Sequence, residues 1–280
     1  MKTVLITGAS TGIGEACALW LQDKGYRVFA GVRQHTDAEA LKEKSKGHLR
    51  PVLLDVVDEV SIREAAQFIL TQTPQLDGLV NNAGIAVAGP LEFLPLQELR
   101  RVLEVNVIGQ VAVTQAFLPL LRPARGRVVL MSSISGRVAA PMMGPYAASK
   151  FALEAIGDAL RRELRPWGME VSILEPGNIQ TPIWSKGVAW GEELKTRLSP
   201  QANEFYGRAI EGILNYIRGQ DGRGLHPNEV ARVLEHALSA TRPKTRYVIG
   251  QDAKAGALLA RFLPDRWVDR FIAGRRFGQQ

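Results

Sequence analysis

Short runs of β-branched and apolar residues alternate with longer amphipathic stretches through most of the chain, and this alternation restricts the fold more than any other feature. It predicts an α/β fold with a doubly wound sheet of seven parallel strands and helices on both faces. The predicted strands are Thr3–Thr7, Arg27–Gly31, Pro51–Leu54, Gly78–Asn81, Gly126–Met131, Glu170–Glu175 and Arg246–Ile249. The predicted helices are Ile13–Lys24, Ser61–Thr71, Gln97–Leu121, Tyr146–Arg165 and Asn228–Ala240.

Two segments do not follow the alternation. Residues 181–224 form a long stretch with Gly and Pro at several points, and they include the aromatic residues Trp184, Trp190, Phe205 and Tyr206. We interpret this stretch as an insertion that covers a substrate site. Residues 251–280 form a basic amphipathic tail. Residues 1–250, insertion included, are therefore predicted to be a single Rossmann-type catalytic domain, since 280 residues with 46% hydrophobic composition suffice for one large core.

The positive charge of the chain is concentrated near its end. The net charge is +7, and the segment 241–280 contains nine Arg and Lys against three Asp, a net +6. The rest of the chain is close to neutral, and it has no zinc-knuckle, RNA-binding or helix-turn-helix signature, so no nucleic-acid partner is expected. The apolar stripe of the tail favours docking on the protein itself or on a neighbouring subunit. Contact with an anionic membrane surface is the alternative.

The cysteine and histidine content argues against a disulfide-stabilised protein and against a metalloprotein. Cys17 is the sole cysteine, so an intrachain disulfide is impossible. None of the four histidines has the spacing of a metal site, so no metal is expected. The chain starts directly with a strand-like run and contains no continuous apolar stretch of membrane-spanning length, so we expect no signal peptide and a cytoplasmic protein.

A glycine-rich turn lies between the first predicted strand and the first predicted helix. Glycines at this junction let the backbone approach a pyrophosphate, whose charge is stabilised by the N–H groups and dipole of the helix N-terminus. A merely tight connection is the less favoured interpretation. The predicted cofactor-binding residues in this turn are Gly8, Ser10, Thr11, Gly12, Ile13 and Gly14.

Further motifs follow in a fixed order. Asn81-Asn82-Ala83-Gly84 ends the fourth strand, Asn106 lies in a predicted helix, Ser133 comes thirteen residues before Tyr146 of the Tyr146-x-x-x-Lys150 pair, and Pro176-Gly177-Asn178-Ile179-Gln180-Thr181 follows the sixth strand. With the turn spacing Thr-Gly-x-x-x-Gly-x-Gly, the chain resembles the short-chain dehydrogenase/reductase family, in its simple single-domain branch, from Lys2 to about Ala240. The segment from Glu175 to Asn178, with Trp184 nearby, looks like the steroid- and retinol-dehydrogenase-like members.

The resemblance implies four catalytic residues. Tyr146 would be the general acid/base, and Lys150 would bind the nicotinamide ribose and lower the phenol pKa through its charge. Ser133, rather than its neighbour Ser132, would hold the substrate oxygen. Asn106 would hold a water that links the lysine to solvent. The alternative for Asn106 is a structural role, capping a break in the helix backbone.

For the cofactor, NADP is favoured over NAD. The acidic residue that binds the ribose of NAD at the end of the second strand is replaced by Val32, and Arg33 follows, whose guanidinium is able to pair with a 2′-phosphate. NAD stays open as an alternative because Ser10 and Thr11 are not basic. The resemblance also implies cofactor contacts by Asp55, Val56, Asn82, Ala83, Gly84, Tyr146, Lys150, Pro176, Gly177, Ile179 and Thr181.

The apolar loop Ala139–Gly144 should form one wall of the substrate pocket. Ser133, Met142, Met143, Tyr146 and Trp184 are the predicted substrate-binding residues. They favour a bulky apolar ketone, aldehyde or alcohol, steroid-, retinoid- or aryl-ketone-like, because soft and aromatic side chains bury such surfaces well. The predicted function is an NAD(P)-dependent oxidoreductase, an NADP-preferring carbonyl reductase or alcohol dehydrogenase.

Three alternatives to that function remain: a cofactor-binding regulator without turnover, an NAD-preferring alcohol dehydrogenase, and an isomerase that uses bound cofactor transiently. The resemblance also implies a homodimer or homotetramer that assembles through the long helices around Asn106 and Tyr146.

Overall fold

The computed structural model describes residues 1–220 and 222–273, and its centre is a seven-stranded sheet. All neighbouring strands are parallel, in the order β3-β2-β1-β4-β5-β6-β7. The strands are β1 Thr3–Ile6, β2 Arg27–Val32, β3 Leu49–Leu53, β4 Gly78–Asn81, β5 Arg127–Met131, β6 Val171–Pro176 and β7 Arg246–Ile249. The predicted doubly wound Rossmann fold is confirmed, with each strand within about two residues of its predicted bounds.

Helices cover both faces of the sheet. They are α1 Gly12–Asp23, α2 His35–Glu43, α3 Glu59–Gln72, α4 Leu96–Leu103, α5 Gly109–Leu121, α6 Gly144–Leu164, α7 Ile183–Arg197, α8 Pro200–Arg218, α9 Pro227–Ser239, α10 Gln251–Phe262 and α11 Asp265–Ala273. Short 3₁₀ turns lie at Ile134–Gly136 and Arg165–Trp167.

The core consists of two apolar layers separated by the sheet. Side chains alternate between the faces of a strand, so Val4 and Ile6 of β1 join the layer with Leu234 of α9, whereas Leu5 joins the layer with Phe117 of α5. All three β1 side chains are fully buried. Burial on both faces explains why the strands read as continuous apolar runs rather than as alternating patterns.

The order of the strands places the functional residues. The chain runs outward from β1 to β3 on one side and then returns to β4 on the other side of β1. At such a reversal the loops after the two central strands diverge and leave a crevice at their carboxyl ends. The glycine turn after β1 and the segment after β4 therefore line the same crevice.

The predicted helix Gln97–Leu121 is not continuous in α-helical geometry. A π-helical segment, Glu104–Ile108, separates α4 from α5 and contains Asn106. By length and composition, Leu96–Leu121 would be able to span a bilayer, which the sequence analysis did not anticipate. In the fold, Phe117 of this run is fully buried and packs in the core layer that also contains residues of α3, as expected of a core helix.

The two segments outside the regular alternation are helical. The insertion forms α7 and α8, which pack against each other, and the tail forms α10 and α11 as far as residue 273; residues 274–280 of the predicted tail lie outside the described residues. Helix α10 contacts the body through Ala253, which is buried, and Gly256, which faces Ile134. Leu258 and Phe262 on its outer side are 58% and 69% exposed.

Candidate active site

The glycine turn after β1 is held by the segment after β4. The side-chain amide of Asn82 donates to the carbonyl oxygens of Thr7 and Gly8 at 2.9 and 3.0 Å. Gly8 has a φ of +64°, and a Cβ there would lie 2.7 Å from the Cα of Ala83. The turn therefore requires glycine for both its conformation and its close approach to the neighbouring loop.

The first turn of α1 has the properties of an anion site. Thr11 is its N-cap residue, and its side chain makes no capping hydrogen bond, which leaves the first backbone N–H groups uncapped by that residue. Gly14 faces Asn82, and a Cβ on Gly14 would lie 2.5 Å from Asn82 Nδ2. Gly12 approaches the side chain of Thr181. This cradle fits the pyrophosphate of a dinucleotide, and it brings the predicted turn residues together with Asn82, Ala83 and Thr181.

The residues predicted at the adenosine end differ in exposure. Val32 is buried at the end of β2, and Arg33 after it is exposed. Asp55 is half-buried, and its carboxylate accepts from the backbone N–H of Val57 at 3.2 Å. The side chain of Val56 is 5% exposed and packs in the core. Asp55 and Arg33 are thus accessible to a ligand, whereas the Val56 side chain is not.

Asn106 uses its whole side-chain amide inside the protein. Its Oδ1 accepts from Ile85 N at 2.8 Å, and its Nδ2 donates to Ile85 O and to Ser149 Oγ, each at 2.9 Å. The residue is fully buried. The side chain thus joins the segment after β4 to α6 next to Lys150, and the water-holding role of Asn106 stays a prediction.

Ser133, Tyr146 and Lys150 lie together near the carboxyl end of β5. Ser133 Oγ accepts from Ser135 N at 3.1 Å. Lys150, which is 4% exposed, donates from Nζ to the Met131 carbonyl oxygen at 2.8 Å, and Nζ lies 5.6 Å from the centroid of the Tyr146 ring. Tyr146 is at the start of α6, so the four-residue spacing puts both side chains on one face of this helix.

The two titratable groups deviate from their ordinary pKa values. Burial raises the pKa of the Tyr146 phenol, and the Ser133 hydroxyl opposes this by hydrogen bonding. Burial lowers the pKa of the Lys150 ammonium to about 8, and the Glu154 carboxylate opposes this. The expected lowering of the phenol pKa by Lys150 does not appear in this arrangement, in which the ammonium is directed at Met131. A phenol that keeps its proton at neutral pH is suited to donate it to a carbonyl oxygen.

The segment after β6 is fixed by Trp184. The indole N–H donates to the Ile179 carbonyl oxygen at 2.9 Å, and Ile179 is 4% exposed. Gly177 donates its backbone N–H to Ile249 O at 2.9 Å, next to Pro176 at the end of β6. The indole N–H of Trp184 thus positions the backbone at Ile179, a predicted cofactor contact, and substrate binding by Trp184 stays a prediction.

A narrow apolar cavity of about 20 Å³, room for about one water molecule, lies under α7 and α8. Met142, a predicted substrate residue, lines it, whereas Met143 is the N-cap residue of α6 and does not. The other lining residues are Ala88, Gly89, Gly187, Gly191, Leu194, Ile210, Ile213, Leu214 and Ile217. The sequence analysis missed the contribution of α8, although the spacing of Ile210, Ile213, Leu214 and Ile217 is that of one apolar helix face.

The helices above this pocket are tied to each other and to the body. Lys195 of α7 and Glu211 of α8 form an ion pair at 2.6 Å. The Tyr206 hydroxyl donates to Glu92 at 2.8 Å, and the Tyr206 and Phe93 rings meet edge to face with centroids 5.8 Å apart. Thus α7 and α8 form a helical layer over this pocket, and the substrate-covering role of residues 181–224 stays a prediction. Among the described residues no cluster of potential metal ligands occurs.

The chain is similar to known proteins over nearly its whole length. Residues 2–191 match the family described as short chain dehydrogenase. Retinol dehydrogenase 5 of Mus musculus is 41% identical over 96% of this chain and 87% of its own length. The NADPH-dependent 3-dehydrocapnine reductase of Ornithobacterium rhinotracheale is 36% identical over 97% and 96%. The crystal structure of a short-chain dehydrogenase from Streptomyces avermitilis has a TM-score of 0.78, 26% identity, and coverage of 98% and 96%.

Proposed function

Since the chain belongs to the short-chain dehydrogenase family of oxidoreductases, we propose that it interconverts a bulky apolar ketone or aldehyde and the corresponding alcohol with NADP as cofactor. The observation that carries this proposal is the grouping of Ser133, Tyr146 and Lys150 near the carboxyl end of β5, on the same side of the sheet as the glycine cradle. The direct test is spectrophotometric. Oxidation of NADPH and of NADH is followed separately against aryl ketones, steroid ketones, retinal and β-keto esters; no consumption of either with any carbonyl would contradict the proposal.

The reaction divides among three side chains. In reduction, Ser133 donates a hydrogen bond to the carbonyl oxygen and holds it beside the Tyr146 phenol, which gives its proton to that oxygen. Lys150 supplies positive charge beside the phenolate that forms. When bound, the nicotinamide cofactor supplies the hydride to the carbonyl carbon or accepts it in the reverse direction. Because the protein holds these groups in position, part of the entropy cost of bringing them together is removed from the activation barrier.

The proposed preference for NADP rests on Arg33. The end of β2 carries buried Val32 in place of an acidic residue, so nothing at that position repels a 2′-phosphate, and the exposed guanidinium after it is able to bind one. A 36% identical relative is named as NADPH-dependent, which agrees with this assignment.

Replacing Arg33 by Ala should weaken NADPH binding by about 10–100-fold, because hydrogen bonds to a charged group contribute about 1.5–3 kcal/mol. NADH affinity should stay unchanged. Calorimetric titration of both cofactors measures the difference, and Arg165→Ala, which removes another exposed arginine from the end of α6, is the matched control. Equal affinities of Arg33→Ala and the unmodified protein for NADPH would contradict the assignment.

The proposed substrate class rests on the apolar lining of the pocket below α7 and α8, which has to widen to admit a bulky molecule. Its lining side chains are aliphatic or glycine apart from Met142, which suits a hydrocarbon body rather than a sugar or an acid. The 41% identical relative is named a retinol dehydrogenase, which also supports a large apolar substrate.

Ala88→Leu adds three carbon atoms to the wall of this pocket. We expect the KM of a steroid ketone or retinal to rise about 10-fold or more, because a hydrophobic pocket distinguishes substrates by roughly 1–3 kcal/mol per methylene. The KM of a small ketone should not change. Ala189→Leu on the exposed side of α7 is the control. If Ala88→Leu changes the KM of large and small ketones by the same factor, the pocket does not hold the substrate.

Assembly and location belong to the same proposal. We propose a homodimer or homotetramer, supported by Ile108 and Phe151, which are 53% and 45% exposed on the elements that carry Asn106 and Lys150.

A cytoplasmic location is supported by the free thiol of Cys17. The tail is proposed to dock on protein through Ala253 and Gly256. Sedimentation velocity tests the assembly, cell fractionation tests the location, and co-sedimentation with anionic vesicles would reveal the alternative, a membrane-bound tail.

A further inference from the structure

A half-buried carboxylate lies one helical turn beyond Lys150. Lys150, Glu154 and Asp158 follow each other at four-residue intervals, so they share one face of α6. The side chain of Glu154 is 12% exposed. A charged group at such a position costs free energy unless other groups compensate it, so the partners of Glu154 matter.

Glu154 is part of an ion-pair network that joins three elements of the fold. Arg246 of β7 places its Nε 2.9 Å from Glu154 Oε2 and its Nη2 3.0 Å from Asp158 Oδ1. The same Nε lies 3.4 Å from Glu175 Oε1 of β6, and Glu175 is fully buried. Arg137 donates to Glu175 Oε1 at 2.7 Å. Arg246 is therefore shared by three carboxylates, and Glu154 is the one closest in sequence to Lys150.

The absence of a side chain at Gly136 lets Glu154 pack closely beside Ser132 and the backbone at Lys150. A Cβ on Gly136 would lie 2.8 Å from Ser132 Oγ and 3.1 Å from both Glu154 Cγ and the Lys150 carbonyl oxygen. Burial raises the pKa of the Glu154 carboxyl, and the nearby Ser132 hydroxyl and Arg246 guanidinium oppose this. In the described part of the chain, neither Ser132 Oγ nor Glu154 Oε1 has a well-formed hydrogen bond. An open polar pocket of about 380 Å³, lined by Gly136, Arg137, Glu154, Arg246 and Arg261, reaches Glu154 from outside.

Lys150 needs a negative charge nearby. Its ammonium is buried, and the one hydrogen bond found for it within residues 1–220 and 222–273 goes to an uncharged acceptor, the Met131 carbonyl. Burial favours the neutral amine, and the pKa is lowered to about 8 even though the Glu154 carboxylate raises it. Removing that carboxylate would bring the loss of the proton closer to neutral pH.

We propose that Glu154, held by Arg246, is a positioning residue for the reaction proposed above: its carboxylate keeps Lys150 protonated, so that Lys150 is able to stabilise the Tyr146 phenolate. The catalytic role of Lys150 in this inference rests on the proposed function. The effect of the Glu154 carboxylate on the charge of Lys150 does not depend on it. Other groups also surround this site and contribute to its field: Tyr146 and Asp158 on α6, Glu175 on β6, Arg137 after the 3₁₀ turn, Arg246 on β7 and Arg261 on α10.

The charge of Lys150 is measurable in the protein without cofactor. In protein labelled with ¹³C-lysine, the Lys150 Cε resonance, assigned by its loss in Lys150→Arg, is followed against pH. The midpoint should fall by about half a pH unit or more in Glu154→Gln, because an opposite charge is lost. Glu163→Gln, at an exposed site on the same helix, should leave the midpoint in place. An unchanged midpoint in Glu154→Gln would overturn the inference.

Two further measurements keep the outcome unambiguous. Glu154→Leu removes the same charge with an apolar side chain, and it replaces Glu154→Gln if that variant does not fold. In the active enzyme, the alkaline limb of kcat should move to lower pH in either variant, since the ammonium is lost earlier, whereas Glu154→Asp should restore the limb. If no carbonyl is reduced by any form of the protein, the proposed function fails, and the ¹³C titration still decides the charge relation.

Discussion

Tyr146→Phe should reduce kcat by about 10²–10⁴-fold on every carbonyl substrate that the protein accepts, because the group that transfers the proton is removed. The Kd of NADPH should change by less than about threefold, since the variant keeps the aromatic ring and leaves the glycine cradle intact. Steady-state kinetics with calorimetric titration of NADPH separates the two effects. The residual kcat of this variant should no longer depend on proton transfer from a phenol.

A matched tyrosine provides the control for this variant. Tyr26 lies just before β2, at the amino end of the sheet, and is 7% exposed. Tyr26→Phe should keep its turnover. If Tyr146→Phe also kept full turnover, the acid/base role would be wrong; if the unmodified protein bound NADPH without turning over any carbonyl, a cofactor-binding regulator would be the better description.

Gly14→Ala should weaken the binding of NADPH and of NADH together, by about 10–100-fold. The added Cβ meets the Gly8 carbonyl oxygen and lies 2.5 Å from Asn82 Nδ2, so the turn must move. Overpacking of this kind costs about 1–3 kcal/mol, and here the displaced atoms belong to the cradle itself. Titration of both cofactors and a thermal unfolding curve measure the effect.

A second glycine shows whether the effect belongs to the cradle. In α8, a Cβ on Gly212 would have nothing within 4 Å, so Gly212→Ala should keep cofactor affinity. It should also increase the free energy of unfolding by about 0.5–1 kcal/mol, because alanine favours a helix. Equal cofactor affinity in Gly14→Ala and Gly212→Ala would mean that the turn after β1 does not contact the dinucleotide.

The strands of the sheet were predictable because their local sequence pattern agrees with their position in the fold. Strands such as β1 and β6 are buried on both faces, and this produces the apolar runs that the sequence shows. Helices α7 and α8 were not predicted, since Gly187, Gly191, Gly207 and Gly212 weaken the local helical signal. Packing stabilises them instead: Gly191 lets Leu214 approach its backbone. A short stretch of sequence carries no information about a tertiary contact of this kind.

The functional residues were predictable to a different degree. Gly8, Ser133 and Tyr146 are distant in sequence, but each follows the carboxyl end of a parallel strand or begins the next helix, so motif order was sufficient to predict their grouping. The partners of Asn106 and Trp184 were not predictable, because they are backbone groups at Ile85 and Ile179 and the Ser149 hydroxyl, whose positions depend on the fold. The same holds for Glu154 and Arg246, which are 92 residues apart in sequence.

The strand order also bears on self-association. β3 is an outer strand, and His48 and Leu54 bond to β2 on either side of Pro51. By alternation, the nitrogen of Pro51 faces away from β2, and proline has no hydrogen to offer an incoming strand. With exposed Arg50 beside it, this margin resists the edge-to-edge addition that leads to aggregates. At the β3 edge, therefore, the sheet ends at a margin that offers an incoming strand few backbone donors.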